Sequence, residues 1–394
     1  PARGAGAQAA LEILEPRMDA MLGIDASPVH LVAGLAQLAE GEYGAAQQRL
    51  DRVRQAGVLR VRSTLYTAVA AYRTGKREAA RSLLQEVLRM ESEHPRALAT
   101  LAMVELRRGR LQSAARQLEK FAELEERGQE VSPRSRALAR YARSEVVRSS
   151  GQDERADRLY DQAVELDPKN PDFPHGLGRW YLSAQRADEA LARLQQAVAL
   201  EPTRYAFLVD LAEAEMMKGD FDAASAHIDR ALEANPRFLP ALLARARYLR
   251  RTNAPGAADF LQRLETERPS AKIEVALEQG RLLRQRDDFA AARAVLEEAI
   301  EGMDGSPPSL QSDVLLSFGR LMDDMKELGV AQRVYAKAGE LGELEAWYRL
   351  SVTAYRSGDM KTALDACRRY LEAGEGLRYA KNARAICDRV QAAN

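Results

Sequence analysis

Apolar residues fall along this chain in paired helical stripes, and the pair returns at a fixed step. Over 205–238 the first stripe runs through Leu208, Leu211 and Ala212 to Glu215, the spacing of one helix face. Lys218-Gly219-Asp220 then predicts a turn, and a second helix from near Phe221 carries Ala224, Ile228, Ala231 and Leu232 on one side. Asn235-Pro236 ends it, because proline lacks an amide proton and disfavours helical geometry in the residue before it. The unit is a helical hairpin, and one hairpin cannot bury its apolar face alone.

The step is 34 residues. It separates Gly41, Gly75 and Gly109, and then Gly151, Gln185, Gly219, Asn253 and Asp287. Five residues after each comes Ala46, Ala80, Ala114, Ala156, Ala190, Ala224, Ala258 or Ala292. Four further on stands a large residue: Leu50, Leu84, Leu118, Tyr160, Leu194, Ile228 or Leu296, with Gln262 out of pattern and Leu261 expected in its place. The alanines let the two helices of a hairpin approach, and the large residues fill the space toward the next one. A fixed period in this range predicts an all-α solenoid of stacked hairpins.

This pattern resembles the tetratricopeptide-repeat family. Repeat 171–204 carries Leu177-Gly178, Tyr181, Ala190, Leu194, Ala197 and Pro202, and repeat 344–377 carries Trp347, Leu350, Gly358, Ala363 and Cys367. Pro168, Pro202 and Pro236 keep the same step. The resemblance implies a right-handed superhelical solenoid of helix-turn-helix units. Repeats are expected at 27–60, 61–94, 95–128, 137–170, 171–204, 205–238, 239–272, 273–306, 312–343 and 344–377. Residues 129–136, with Ser132-Pro133, and 307–311, within Ser306-Pro307-Pro308-Ser309, are expected to be inserted loops. Ala9, Ala10, Leu14 and Arg17 suggest that 1–26 is the second helix of a truncated hairpin, and 378–394 a capping helix. A chain that opens on Pro1 and has no signal-like apolar run reads as a segment of a longer protein, expected in the cytoplasm, with the periplasm as alternative.

Charge and chemistry narrow the function. Lys+Arg and Asp+Glu both number 58, so no basic excess points to nucleic acid or a membrane surface. His30, His94, His175 and His227 are scattered without metal-ligand spacing. Gly176-Leu177-Gly178 belongs to the repeat, and no nucleophile elbow, Walker sequence or HExxH occurs. Neither an enzyme nor a cofactor is expected. Cys367 and Cys387 read as two small buried residues on neighbouring helices, their pairing left open.

A scaffold that recruits protein partners remains. In the family the first helix of each hairpin lines the concave groove, chiefly through the second, fifth, ninth and twelfth positions of the repeat. Two faces follow from that register. At the N-terminal end Pro28, Leu31, Leu35, Leu38, Leu65, Val69, Tyr72, Met103 and Leu106 form an apolar groove for a partner helix or a second copy, unless they are core. Further on, Arg179, Arg247, Arg250, Arg281, Arg284 and Arg320, with Arg251 beside them, suit an acidic protein surface or peptide. The alternative is a solvated face neutralised by Glu213, Glu274, Asp313 and Asp323. If the arginines serve a partner alone, reversing Arg247, Arg250, Arg281 and Arg284 should spare stability. The Lys-and-Asn pair of chaperone-tail clamps is absent from the groove positions, and too few aromatics interleave with the arginines for single-stranded nucleic acid. The family resemblance extends to bacterial motility, polarity, secretion and envelope-assembly proteins. The alternative is a periplasmic structural module of an exopolysaccharide-export or outer-membrane assembly machine.

Overall fold

A computed structural model describes residues 27–40, 42–53, 57–150, 152–372 and 379–392. Residues 1–26 with Ala9, Ala10, Leu14 and Arg17, the turn positions Gly41 and Gly151, and residues 378, 393 and 394 lie outside the described residues. The described residues form 21 α-helices and no strand, in two compact units divided between Lys169 and Asn170. The first unit holds α1 (Ser27–Glu40), α2 (Tyr43–Val53), α3 (Arg60–Arg73), α4 (Arg77–Met90), α5 (Pro95–Arg107), α6 (Leu111–Glu126), α7 (Pro133–Arg148) and α8 (Asp153–Leu166). The second begins with α9 (Asp172–Ser183), α10 (Ala187–Leu200), α11 (Tyr205–Lys218), α12 (Phe221–Ala234), α13 (Leu239–Arg251), α14 (Ala257–Glu267) and α15 (Lys272–Gln285). It continues with α16 (Phe289–Gly302), α17 (Pro308–Asp324), α18 (Leu328–Glu340), α19 (Leu344–Ser357), α20 (Met360–Glu372) and α21 (Ala380–Ala392).

Each hairpin closes on one recurring contact. The eighth residue of the repeat, on the first helix, is small, and the bulky residue of the second helix drives onto it. A Cβ on Gly178 would stand 2.6 Å from Leu194 Cγ, and one on Gly280 would stand 2.5 Å from Leu296 Cγ. Gly34 meets Leu50 and Gly319 meets Tyr335 in the same way. Ala46, Ala80, Ala114, Ala156, Ala190, Ala224 and Ala292 are wholly buried one turn earlier on the second helices.

The turn between the helices needs a left-handed residue, which explains the glycine spacing. Gly75, Gly109, Gly219 and Gly358 have φ between +72° and +85°. Gln185, Asn253, Asp287 and Lys326 occupy the same place at φ +51° to +63°. Asp220 and Asp288 then cap the helices that follow, each accepting from a backbone N–H at 3.2 Å. The second helices α8, α10 and α12 each end two residues before Pro168, Pro202 or Pro236.

Three expectations are corrected. The loops expected at 129–136 and 307–311 are partly helical, because Pro133 and Pro308 sit at the first helical turn, where their missing N–H is no loss. The additions thus lengthen α7 and α17 at their starts. In the repeat 239–272 the pattern slips by one residue: Ala257 and Leu261 are buried, whereas Ala258 is exposed. Leu261 takes the bulky place as expected. Cys367 and Cys387 are not two separate buried thiols but a disulfide joining α20 to α21.

Two substitutions test this account. Lys326→Gly should raise stability by about 0.5–1 kcal/mol, since a side chain at positive φ costs about 1–2 kcal/mol and glycine's added freedom offsets part of it. Gly178→Ala should lower stability by about 1–3 kcal/mol, because Leu194 has to leave its place. Chemical denaturation of the two variants measures both.

Candidate partner-binding face

In the second unit the first helices of successive hairpins touch side by side: α9 with α11, α11 with α13, α13 with α15, α15 with α17, and α17 with α19. That contact follows from the tight hairpins, and it aligns the ninth and twelfth positions of one helix with acids on the next. All six arginines singled out in the sequence lie on this row, and each faces a carboxylate. Arg179 on α9 is 3.7 Å from Asp210 on α11. Arg247 on α13 donates from Nε to Glu213 on α11 at 2.6 Å. Arg250 donates to Glu278 on α15 at 3.1 Å. Arg281 donates to Glu278 at 2.8 Å and to the Ser317 hydroxyl on α17 at 2.9 Å, with Asp313 at 3.9 Å. Arg284 reaches Asp324 at 2.6 Å, and Arg320 reaches Glu345 on α19 at 2.6 Å.

The arginines are therefore staples between hairpins as well as surface charges. Their side chains range from about one-sixth exposed at Arg250 to half-exposed at Arg179. The expectation that four reversals would leave stability untouched is corrected by this geometry, since each reversed charge would face its former partner. Of the expected neutralising acids, Glu213 and Asp313 face the arginines. Asp323 instead accepts from Tyr335 and Thr353 at 3.0 Å, and it is Asp324 that meets Arg284.

Glu278 is the most enclosed member of the row, 1% exposed. Burial alone would raise its carboxyl, yet Arg281, Arg247 and Arg250 together hold it below the ordinary carboxylate range. Asp313 goes the other way: burial pushes it up, and nearby Glu278 adds to the shift against the pull of Arg281, Arg247 and Arg320. At the start of the row, His175 Nε2 lies 2.7 Å from Asp210, and its ring stacks on Phe207 at 4.2 Å. Glu278, Ser317, Asp324 and Glu345 were missed from sequence. A signal existed, because Glu213 and Arg247 lie one 34-residue step apart.

The apolar face of the first unit is different from what its register suggested. Leu31 and Leu65 are 5% and 3% exposed, and Met103 is also buried. Leu31 packs with Leu50, Val53, Leu59 and Tyr66, and Leu65 with Leu84, Val87 and Leu101. With first helices so close to their own second helices, a fifth-position side chain has no route to the surface. Leu35, Leu38, Val69, Tyr72 and Leu106 are half-buried, with Leu35 and Leu38 packed against the cluster of Leu31 and Tyr72 against that of Leu65. Leu31, Leu65 and Met103 are therefore core residues and do not line an open groove.

The architecture is that of a helical-repeat interaction scaffold. Sequence profiles for the tetratricopeptide repeat match residues 148–198 and 181–248, and further profiles of that repeat match 67–124, 100–171 and 324–377. The chain belongs to the tetratricopeptide-repeat family. Proteins of this fold typically act as non-enzymatic scaffolds for protein–protein interaction. No curated protein sequence matches it. Among solved structures it is similar to yeast Tom70, at 13% identity over 93% of this chain and 95% of that one, with a TM-score of 0.47. It is also similar to a tetratricopeptide repeat protein of Parabacteroides merdae, at 17% identity over 74% and 98%, TM-score 0.45. A third is the Thermus thermophilus tetratricopeptide protein TTC0263, at 28% identity over 49% and 98%, TM-score 0.39. Among the described residues no helix is long and apolar enough to cross a membrane, and no cluster of His, Cys, Asp and Glu is placed to hold a metal ion.

Glu278→Gln should cost about 2–3 kcal/mol near neutral pH, since Arg250 and Arg281 would keep their charges without the carboxylate's negative charge between them, part of the loss being screened by solvent. Because the folded carboxyl titrates below its unfolded value of about 4.3, this contribution is complete above that value and lost as pH falls through the folded one. Thermal melts should therefore show wild type and variant converging in acid. In the first unit, Leu65→Ala should cost about 2–5 kcal/mol and Val69→Ser about 1 kcal/mol or less; equal losses would place both in the core.

Proposed function

We propose that this chain is a bacterial adaptor that recruits an acidic segment of a partner protein onto the first-helix row of α9–α19. One observation carries the proposal: five guanidinium groups, those of Arg179, Arg247, Arg281, Arg284 and Arg320, stand about a quarter to a half exposed along touching helices. Each guanidinium has five N–H donors, and the internal carboxylates use only some of them. A partner carboxylate can join such a pair as a second acceptor, gaining charge-assisted hydrogen bonds without breaking the link between hairpins. The internal acids set the selectivity. Asp313 and Glu213 on the same row repel a uniformly acidic strand, so a partner whose acids are spaced to the arginines fits best. The same chemistry suits a scaffold in motility, polarity, secretion or envelope assembly, where a repeat array holds several components together.

The test uses the two arginines with the most exposed side chains and single acid partners on α9 and α15. Arg179→Gln with Arg284→Gln should weaken capture of an Asp- and Glu-rich peptide, and of partner proteins, by at least about tenfold. Binding of the wild type should weaken as salt rises. The double variant should melt within about 1 kcal/mol of wild type, because exposed pairs contribute little. Capture unchanged by both substitutions and by salt would rule out the arginine row as the docking face.

A further inference from the structure

The sequence contains two cysteines, and the fold brings both to one place. Cys367 lies on α20 and Cys387 on α21, with Cα atoms 6.0 Å apart, inside the range a disulfide bridges without backbone movement. Both are buried, and Tyr370, Ala383 and Ile386 surround them. Cys367 also stands at the hairpin position filled elsewhere by Leu50, Leu84 or Leu296, residues considerably larger than a thiol. A lone thiol there would leave space unfilled, and a sulfur from α21 completes the layer. The same helix packs its apolar side on the hairpin beneath, Val390 with Ala354 and Ala363 and Ile386 with Leu364, and just before it Tyr379 N–H donates to the Tyr370 hydroxyl at 3.1 Å while its ring stacks on Tyr348 at 4.3 Å.

We propose that the Cys367–Cys387 bond is a permanent staple that locks α21 onto α19 and α20, and that the chain works in an oxidising compartment. Each thiol loses one hydrogen when the bond forms. The two electrons and two protons pass to an external disulfide, which leaves as two thiols. Once made, the bond is shielded, since Cys367 is fully buried and Cys387 nearly so. Thiol pools of the cytosol would keep such a pair reduced during folding, so a uniformly bonded population requires an oxidising site. The inference holds whichever partner the arginine row takes.

Thiols in intact producing cells are blocked with iodoacetamide before lysis, and the whole chain is then analysed by mass spectrometry. The expected product is unalkylated, two hydrogens lighter than its reduced form, with the peptides bearing Cys367 and Cys387 linked. Alkylation at both positions would overturn the proposal. Hydrogen exchange on chain refolded with and without dithiothreitol provides the second reading. Loss of a staple closing a loop of this length should speed exchange across α21 by roughly 100-fold, while α17 and α18 keep their rates. Equal exchange in the two states would show that the bond locks nothing.

Discussion

The structure depends on how closely the two helices of each hairpin can approach. Where Leu194 drives into the space beside Gly178, and Leu296 beside Gly280, a single methyl group on the glycine would displace the partner. That approach fixes the geometry of one hairpin, and the geometry fixes how the next can stack. First helices then lie against first helices, fifth positions turn inward, and ninth and twelfth positions come into line. The arginine row is a consequence of this packing, not an addition to it.

Lining up long cations on touching helices has an electrostatic cost unless acids are interleaved. Here they are: Glu213, Glu278, Asp324 and Glu345 each accept from an arginine of an adjacent first helix. Half-exposed pairs of this kind contribute little individually. Glu278 differs because it is enclosed and serves two arginines, so its loss would strand both. The face that holds hairpins together is thus also the face that offers charge to a partner. A partner must add to the existing pairs, because replacing them would loosen the stack beneath it.

Much of this was legible in the sequence because hairpin packing repeats at a fixed interval. A left-handed turn residue, an alanine and a bulky residue at constant spacing identify the fold even where Gln185, Asp287 or Lys326 replaces glycine. What the spacing could not show was depth. Leu31 and Leu35 look alike as apolar residues on one helix, yet only the first is buried, and the difference lies in the neighbouring helix. The one-residue slip at Ala257 and Leu261 was half visible: Gln262 signalled it, while Ala258 concealed it by being the expected residue. Most pairings of arginine with acid were hidden because they join neighbouring repeats, as Arg250 with Glu278 and Arg284 with Asp324 do, although Glu278 and Arg281 lie only three residues apart. Loops were over-read at Pro133 and Pro308, where proline began a helix.

In a regular array the irregular places carry the individuality, because a feature shared by every hairpin cannot single out a partner. The extended starts of α7 and α17 and the shifted α13–α14 hairpin depart from the common unit, and two of these three lie in the unit with the arginine row. Both border α15, the helix that contributes Glu278, Arg281 and Arg284: α13 touches it on one side and α17 on the other. The pairing is densest there as well, with Glu278 bonded to arginines of α13 and α15 and Arg281 reaching Ser317 on α17. Alteration of the repeat therefore coincides with concentration of charge. The segment from α13 to α17 is where the altered repeats and the arginine–acid pairing meet.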